Sequence, residues 1–526
     1  MIVETLHITK ALVMDILDKA SLPHLIFLLI SAYWILCQFA PNRNPTLPGA
    51  PIVGKRLWLE PTFLQRWRFV FHARDILSDG YAKYKDKPFV VRKLNGDVTI
   101  MPMRYLTETR LLPESVLSFK FALSKFFLPE QMNLNWIKTS ERDPNMLKMK
   151  LTPEISRFIE MTRQEMEQTL PTTMPKPTSW TVVDVQSAIR TIIARMTTRA
   201  FMGHPACDDP EWVKMSIDFT PQLLSTVFAV SPFPAWTHSI LTRLLPSRYR
   251  TLQRMRYCSE LVAARIEARR GGKTPPDDCL LDYMLDHGGA DDVYETGQRQ
   301  CMLALASNHT TAAAAINFLF DLCAHPEYFS ILRDEIASVT AAHGRPGSPG
   351  VDVKTWLHAL EKMDSFLTES LRHTPAILTI PQRQAMRDIV LQDGTLIPAG
   401  ARIAFPSYWH THEAKPTLRD PDVFDGLRYY KLRRGEGGDP MRYRSVQVDA
   451  DHMMAFGYGS QACPGRHFAT SQVKLLVARL LEEWDFAWPD GLEKPDIGYF
   501  EENTLLDPGH KLKVRLRGAE PGHETH

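Results

Sequence analysis

The chain has few cysteines and no excess of charge of one sign. Seven cysteines occur among 526 residues, and none belongs to a C-x-x-C pair or to a zinc-spaced set of Cys and His. A disulfide framework and a structural zinc site are therefore not expected. His204 and Cys207 lie three residues apart, a spacing so common by chance that it predicts no metal site. Lys and Arg number 62 against 60 Asp and Glu, which excludes the strong positive field that gathers nucleic acid.

The sequence also lacks a flavin or dinucleotide signature. Apart from a glycine-rich loop near residue 460, its one such stretch is GEGG at Gly435, which has no G-x-G-x-x-G spacing before a helix. With 44% hydrophobic and 23% charged residues, the composition is that of a globular protein, and disordered, collagen-like and repeat classes are excluded.

The N-terminal region contains the one long apolar run. Residues 22–40 carry no charge and as a helix would cover about 28 Å, enough for a thin bilayer. We interpret them as an uncleaved transmembrane anchor after an N-terminal flank (1–21), the alternative being a buried core helix. Arg43, Lys55 and Arg56 follow the run, which places the remaining chain in the cytosol. Prolines in residues 41–56 predict a semi-rigid neck.

Residues 57–518 are expected to form one large domain, with a short tail at 519–526. The pattern is mostly helical to about residue 270, and residues 294–325 predict one long helix buried on most sides. Two amphipathic helices follow it, and residues 388–406 predict a hairpin with an Asp-Gly turn. The fold class is therefore mainly α (α+β), helical with small β-sheets.

A lone cysteine follows the glycine-rich loop and precedes a helix. Pro464 is expected in the first turn, where free N–H groups favour a thiolate at Cys463. Alone, the pattern equally suits a buried structural cysteine. Phe456, Gly459, Cys463 and Gly465, however, match F-x-x-G-x-x-x-C-x-G. On this phrase the chain resembles the haem-binding loop of the cytochrome P450 superfamily.

Further marks of that family occur in the expected order. Glu369 and Arg372 fit its E-x-x-R motif, and Arg428 in FDGLRY fits the arginine that completes a structural Glu-Arg-Arg cluster. Without that context, an acid and an arginine at i, i+3 are usually a solvated surface pair. The resemblance covers residues 47–517 and is greatest to membrane-anchored fungal members that decorate terpenoid secondary metabolites.

The resemblance implies a haem b cofactor with Cys463 as the axial ligand of its iron. A thiolate ligand increases electron density on the iron and favours cleavage of the O–O bond. By the same resemblance Arg383 and Lys148, or Lys150 in place of Lys148, bind the haem propionates. Gln461 stands where most members carry His or Arg, so that its contact with a propionate is expected to be dipolar rather than ionic.

Proton delivery is the second departure from the family. The segment ASNHTT (306–311) has His309 where the family's A-G-x-D/E-T-T has an acid. We predict that Thr310 supplies the catalytic alcohol and that His309 carries a proton near neutral pH. The alternative for His309 is a packing residue of a buried helix.

The implied reaction is insertion of one oxygen atom of O₂ into a lipophilic, terpenoid-like substrate. Phe-rich residues 118–129 and 219–236 are expected to cover the haem pocket and face the membrane, and residues 377–379 to line the pocket. Electrons would come from a separate NADPH–cytochrome P450 reductase, and the expected location is the endoplasmic reticulum membrane. Two alternatives are a haem-thiolate enzyme that rearranges or dehydrates its substrate without external electrons, and a haem-binding scaffold without oxygen chemistry.

Overall fold

The computed structural model describes residues 31–32, 44–57, 60–272, 278–436 and 438–518. Helices make up most of this part of the chain. The first eight are α1 (Thr62–Tyr84), α2 (Leu106–Thr109), α3 (Phe119–Ser124), α4 (Arg142–Met146), α5 (Ile155–Thr173), α6 (Val185–Phe201), α7 (Pro210–Val230) and α8 (His238–Leu244).

The remaining helices surround or follow the longest one. They are α9 (Pro246–Arg270), α10 (Leu280–Met284), α11 (Val293–Ala324), α12 (Tyr328–His343), α13 (Val353–Ala359), α14 (Glu361–His373), α15 (Ser407–Thr411), α16 (Arg428–Arg434) and α17 (Arg466–Glu483). Because α17 begins at Arg466, Pro464 lies before the helix, and the expectation that it occupies the first turn is wrong.

The strands are short and form four small sheets. They are β1 (Phe89–Lys93), β2 (Gly96–Ile100), β3 (Leu117–Ser118), β4 (Thr181–Val183), β5 (Gln382–Ala385), β6 (Ile389–Val390), β7 (Leu396–Ile397), β8 (Arg402–Ala404), β9 (Trp484–Ala487), β10 (Gly498–Phe500), β11 (Asn503–Leu505) and β12 (Leu512–Leu516). The sheet orders are β1-β2-β8-β5-β3, β4-β12-β9, β10-β11 and β6-β7.

Pairing within these sheets places one candidate residue and one predicted hairpin. In the largest sheet, β5 and β8 are antiparallel with Arg383 opposite Ile403, whereas β2 and β8 are parallel. The pair β6-β7 is the hairpin predicted from the sequence, and Gly394 at its turn has φ +84°. A positive φ favours glycine at this position.

The long helix α11 forms the centre of the main core. The Asp292 side chain accepts the Glu295 backbone N–H at 2.8 Å and caps its start, and the helix ends just before Pro326. Helices α6, α7, α9, α14 and α17 pack around it. The prediction of one long helix buried on most sides is confirmed, as is the mainly helical fold class.

The predicted neck packs onto the largest sheet instead of standing apart from the domain. Leu47 is buried, the backbone N–H of Val53 donates to the Val90 carbonyl at 2.9 Å, and Val90 donates to Pro51 at 2.8 Å. The boundary predicted at residue 57 therefore differs from the structure. Proline keeps its carbonyl, and that of Pro51 pairs with β1. The spacing of the prolines in the sequence did not reveal this contact.

No helix among the described residues is long and apolar enough to cross a membrane. The predicted anchor at 22–40 lies outside the described residues, except for positions 31 and 32, and so do the flank at 1–21 and the tail at 519–526. The anchor therefore stays a prediction from the sequence.

Candidate active site

The loop before α17 folds tightly around Cys463. The backbone N–H of Cys463 donates to the Phe456 carbonyl at 2.8 Å. Gly457 and Gly459 have φ values of +81° and +79°, and a Cβ on Gly459 would lie 2.2 Å from the Arg110 carbonyl oxygen. Only glycine fits at position 459, because the loop passes directly against the backbone at Arg110.

The cysteine thiol lies at the N-terminal end of α17. Burial raises the pKa of Cys463, while the backbone N–H groups of Gly465 and Arg466 and the charge of Arg466 oppose that rise. The same N–H groups would stabilise a thiolate once a bound cation displaces the proton. The arrangement suits a half-buried cysteine that becomes an anionic metal ligand.

One face of α11 remains accessible although most of the helix is buried. Ala306 and Thr310 are exposed, and the half-buried positions Met302, Leu305 and Ala313 continue the same stripe at intervals of three to four residues. Thr310 Oγ1 donates to the Ala306 carbonyl at 2.8 Å. This accessible stripe (302–314) therefore offers apolar side chains, small ones at Ala306 and Ala313, and the Thr310 hydroxyl.

His309 points from α11 towards α7. Its Nε2 lies 2.8 Å from the Ile217 carbonyl oxygen, and because a carbonyl can only accept, Nε2 carries the hydrogen. Asn308 beside it donates to Ser216 Oγ at 3.2 Å. Burial, followed by the charge of Arg190, lowers the pKa of His309, although the bond to Ile217 partly opposes this.

These contacts make His309 a link between α11 and α7. Burial favours the uncharged form of its imidazole, which opposes the expectation that it carries a proton near neutral pH. Among the described residues no hydrogen-bond partner contacts its Nδ1, and this nitrogen can accept a proton or a water hydrogen. A role in proton delivery therefore stays a prediction.

Glu369, Arg372 and Arg428 meet in one buried cluster. Arg372 donates to both carboxylate oxygens of Glu369, at 2.9 Å from Nε and 2.8 Å from Nη2, and Arg428 Nε donates at 3.1 Å. The Glu369 and Arg372 side chains are fully buried. Although burial opposes ionisation, His373 and Arg372 hold the pKa of Glu369 well below its usual range.

A second buried charge cluster lies next to this one and was missed by the sequence analysis. Asp364 on α14 accepts from Ser445 Oγ at 2.6 Å, from Lys474 Nζ at 3.2 Å and from Arg433 Nη1 at 3.3 Å. Burial opposes ionisation, but Lys474 and Arg433 lower the pKa of Asp364. These partners are far apart in the sequence and follow no motif, so no sequence signal marked them.

Arg383 on β5 is a buried cation without a carboxylate partner. It donates to the Gln382 carbonyl at 2.8 Å, and its guanidinium lies 5.5 Å from the centroid of the Phe119 ring. Burial lowers the pKa of Arg383 to about 10, and the charge of Glu114 partly opposes this. Among the described residues no acid lies within ion-pair distance of it.

The two candidate lysines have different surroundings. Lys150 forms ion pairs with Glu154 at 2.8 Å and with Asp278 at 3.1 Å. Lys148 is exposed on the π-helical turn Leu147–Leu151, which continues α4, and it has no ion pair with any described residue. Of the two, Lys148 is the cation still available to an anionic group.

Gln461 uses its amide to connect the cysteine loop to the segment around β3. Its Nε2 donates to the carbonyls of Leu117 at 2.9 Å and Leu112 at 3.3 Å. Its Oε1 accepts the Phe119 backbone N–H at 3.0 Å. Both N–H groups of the amide are thus engaged by the backbone, a role that the sequence did not suggest.

Comparison with known proteins identifies the family. The family model described as Cytochrome P450 matches residues 121–514. The chain belongs to the cytochrome P450 family. It is 36% identical over 501 residues to the cytochrome P450 monooxygenase ATR4 of Stachybotrys chlorohalonatus, which covers 93% of this chain and 94% of that protein. It is 33% identical over 522 residues to an ent-kaurene oxidase of Fusarium fujikuroi, covering 98% and 97% of the two chains.

A solved structure shows the same fold. The retinoic acid-bound cyanobacterial CYP120A1 superposes with a TM-score of 0.64 at 18% identity, covering 90% of this chain and 100% of that one. That structure shows the fold, whereas the family match and the fungal monooxygenase relatives show that this P450 is a haem-thiolate monooxygenase of the kind found in fungal secondary metabolism.

The residues present fit a haem. Cys463 would supply the thiolate from a glycine-rich loop that has no room for a side chain at position 459, and Arg383 is a buried cation with no carboxylate partner among the described residues, which suits a propionate. Lys148 provides a second free cation. Gln461 has one acceptor oxygen already bound and no free N–H, so its expected contact with a propionate stays a prediction.

The predicted pocket segments lie in different environments. Leu378 and Thr379 are buried in the core, whereas Ile377 is half-buried and bridges to Asn503. Phe228, in the middle of the 219–236 segment, packs against Phe500 of β10 with ring centroids 4.2 Å apart and the ring planes tilted by 41°. The structure thus joins α7 to the β10-β11 hairpin, a contact that the sequence did not reveal.

Proposed function

We propose that this monooxygenase oxidises a lipophilic, terpenoid-like molecule, with electrons from a separate NADPH–cytochrome P450 reductase. The observation that carries the proposal is the accessible stripe of α11. Its open positions are Met302, Leu305, Ala306 and Ala313 together with the Thr310 hydroxyl. This stripe has no charged group that would bind a polar substrate. Its apolar surface favours binding of an apolar substrate, which is transferred out of water when it binds.

The relatives support the same substrate class. The fungal proteins named ent-kaurene oxidase match over nearly the whole chain, at 33% identity in Fusarium fujikuroi and 34% in Gibberella fujikuroi. At this identity the substrate of a relative indicates a class and not a compound. A terpenoid is therefore the first class to test.

Each site residue receives a role in this proposal. When bound, haem with a thiolate ligand supplies the activation of O₂ and the insertion of one oxygen atom. Cys463 would hold the iron, and Arg383 and Lys148 would hold the two propionates by charge-assisted hydrogen bonds. Glu369, Arg372 and Arg428 would hold α14 against the segment that leads into α16.

Thr310 and His309 would supply protons. Thr310 Oγ1 lies on the accessible stripe, where it can exchange its bond to the Ala306 carbonyl for a bond to a neighbouring oxygen or water. His309 can pass a proton through Nδ1 while Nε2 stays bound to Ile217. The apolar neighbours of Thr310 would exclude bulk water, so that protons would be delivered through Thr310 Oγ1.

We further propose that residues 22–40 anchor the enzyme in the endoplasmic reticulum membrane with the domain in the cytosol. The support is the length and apolarity of the run and the basic residues after it. A chain that begins at residue 41 should leave the membrane fraction and keep its haem spectrum. Membrane binding equal to that of the full chain would contradict the anchor.

The proposed activity can be tested in microsomes that contain the full chain and the reductase. Terpenoid hydrocarbons and matched polar analogues would be supplied with NADPH under ¹⁸O₂, and products analysed by mass spectrometry. We expect one ¹⁸O atom in the product of a hydrocarbon and none without NADPH. Cys463→Ser should abolish both this product and the red-shifted Soret band of the carbon monoxide complex, whereas the control Cys323→Ser should retain both. Product formed without NADPH or O₂ would contradict the proposal and favour a rearrangement.

A further inference from the structure

The connection between α6 and α7 contains a second group of potential metal ligands, separate from Cys463. In the part of the chain that the structure describes, Glu165, His204 and Cys207 are the one set of three whose donor atoms all lie within 4.8 Å of one another. Cys207 Sγ is 3.2 Å from His204 Nδ1. Glu165 reaches them from α5, a contact that the spacing of His204 and Cys207, from which no metal site was predicted, does not reveal.

Asp208 supplies a fourth donor atom. Its Oδ2 lies 2.6 Å from His204 Nδ1, and half of its side chain is exposed. A tetrahedral Zn²⁺ binds S, N and O ligands at about 2.0–2.3 Å, which separates the ligand atoms by about 3.3–3.6 Å. The distance of 3.2 Å between Cys207 Sγ and His204 Nδ1 is already close to this range. The distance between Asp208 Oδ2 and His204 Nδ1 is shorter than the range by a fraction of an ångström, and the half-exposed Asp208 side chain can move by that amount.

One oxygen of the Glu165 carboxylate lacks a hydrogen-bond partner. Its Oε1 accepts from Arg195 Nε at 2.6 Å and from Thr169 at 3.3 Å, but Oε2 is buried without a hydrogen-bond partner. The side chain as a whole is only 1% exposed. A buried carboxylate oxygen without a partner is unfavourable, and a cation would satisfy it.

The local charges are compatible with a divalent ion. Arg195 bonds to both carboxylates, with its Nη2 3.0 Å from Asp208 Oδ1, as outer partners of metal ligands commonly do. Burial and the two carboxylates raise the pKa of the Cys207 thiol, whereas Arg199 and Arg195 oppose this. A bound cation would displace the thiol proton, and the resulting thiolate and two carboxylates would balance the ion and one arginine.

An ion could reach the group from solvent. A cleft of about 350 Å³ opens beside it, and its wall includes Arg195, Cys207 and Asp208. An entry path of this kind is one requirement of a metal site that fills after folding.

We propose that Glu165, His204, Cys207 and Asp208 bind one Zn²⁺ or a similar transition-metal ion. The ion would join α5 to the segment that leads into α7, which begins at Pro210. Because α7 contacts α11 through Ile217 and His309, binding would stabilise the helix above the active site. The role is structural and independent of the haem.

The test uses the full-length, haem-loaded protein in detergent, with any histidine tag removed. The protein is incubated with ZnCl₂, desalted and measured for zinc and iron by mass spectrometry. We expect one retained zinc per chain and a zinc-dependent rise in Tm. His204→Ala, Cys207→Ser and Asp208→Asn should each weaken zinc binding at least tenfold and remove the rise in Tm.

Two substitutions elsewhere provide matched controls. His343→Ala changes an exposed histidine and Cys323→Ser a half-buried cysteine, and both variants should bind zinc like the wild type. The carbon monoxide spectrum reports folding in every variant, and the half-exposed His204 decides the result if Cys207→Ser does not fold. Failure of the wild type to retain zinc, or equal retention by His204→Ala, would overturn the proposal without affecting the oxygenase assignment.

Discussion

Lys474 Nζ lies 3.2 Å from Asp364 Oδ1, so a buried ion pair ties α17, which follows Cys463, to α14, which carries Glu369. Arg433 from α16 completes the group at 3.3 Å from the other carboxylate oxygen. The Asp364 cluster therefore ties the helix that follows the cysteine loop to α14, next in sequence to the Glu369 cluster on the same helix. The family motif contains one of them, and the fold forms the other.

Asp364→Asn is expected to destabilise the protein strongly. The substitution keeps the size of the side chain but leaves Lys474 and Arg433 buried without a counter-charge, at a cost of about 3–5 kcal/mol. Urea unfolding of the haem-loaded protein measures this loss. Asp490→Asn is the control, since it removes a pair between Lys513 and an acid that is 96% exposed and should cost no more than about 1 kcal/mol. Similar losses in the two variants would show that burial of the Asp364 cluster contributes nothing.

The stabilisation by Glu369 should depend on pH. Its pKa in the folded protein lies below the ordinary value of 4.5. The charged carboxylate therefore stabilises the fold above about pH 4.5, and that contribution is lost as the pH falls below it. Glu369→Gln should lower the free energy of unfolding by about 3–5 kcal/mol at pH 7, with a smaller difference from the wild type at pH 4 and below.

The control for Glu369 is Glu130→Gln, which removes a largely exposed carboxylate that pairs with Lys138 at 3.4 Å. Its effect should stay within about 1 kcal/mol at every pH. If the difference between wild type and Glu369→Gln were the same at pH 7 and pH 4, ionisation of Glu369 would not be its source.

Gln461→Glu tests whether the side chain holds the cysteine loop. A carboxylate would keep the acceptor for the Phe119 N–H but would face the carbonyls of Leu112 and Leu117 without a hydrogen to donate. We expect a loss of about 1–3 kcal/mol in thermal unfolding of the holoprotein. Gln392→Glu, at an exposed position, should leave Tm unchanged. An unchanged Tm in Gln461→Glu with faster haem loss would instead favour a contact with a propionate.

Thr310→Ala should keep haem and substrate binding but divert electrons from NADPH to peroxide. The reason is that the substitution removes the hydroxyl on the accessible stripe while leaving the helix intact. Product and peroxide per NADPH are the quantities to measure. Ser307→Ala removes a hydroxyl that is likewise bound to a carbonyl one turn earlier, and it should retain wild-type coupling. Equal yields from both variants would place proton delivery elsewhere.

His309→Ala should slow product formation and change its pH profile. Because the pKa of His309 is lowered below 6.5, the part of the profile that depends on it should lie below pH 6.5. His309→Gln offers an N–H for the Ile217 carbonyl but no titrating group, so it separates loss of the link to α7 from loss of proton transfer. Activity at wild-type level with an unshifted profile in His309→Gln would identify His309 as a packing residue.

Much of the fold and of the candidate site could be predicted from local sequence patterns. The spacing around Cys463, the i, i+3 pair of Glu369 and Arg372, the long helix α11 and the Asp-Gly hairpin are each encoded within a short segment. Helix periodicity and turn chemistry act between near neighbours, so a single sequence shows them directly. The sequence alone indicated the haem-thiolate class, which the family match confirms, and it predicts Cys463 as the iron ligand.

Tertiary structure decided the contacts between distant segments. The pairing of Asp364 with Lys474, the backbone bonds of Gln461 and the approach of Glu165 to His204 each join residues on different elements. It also turned His309 towards α7, where burial lowers the pKa of the imidazole. Such contacts follow from how helices pack and from which charges lose water together, and no spacing along one segment records them.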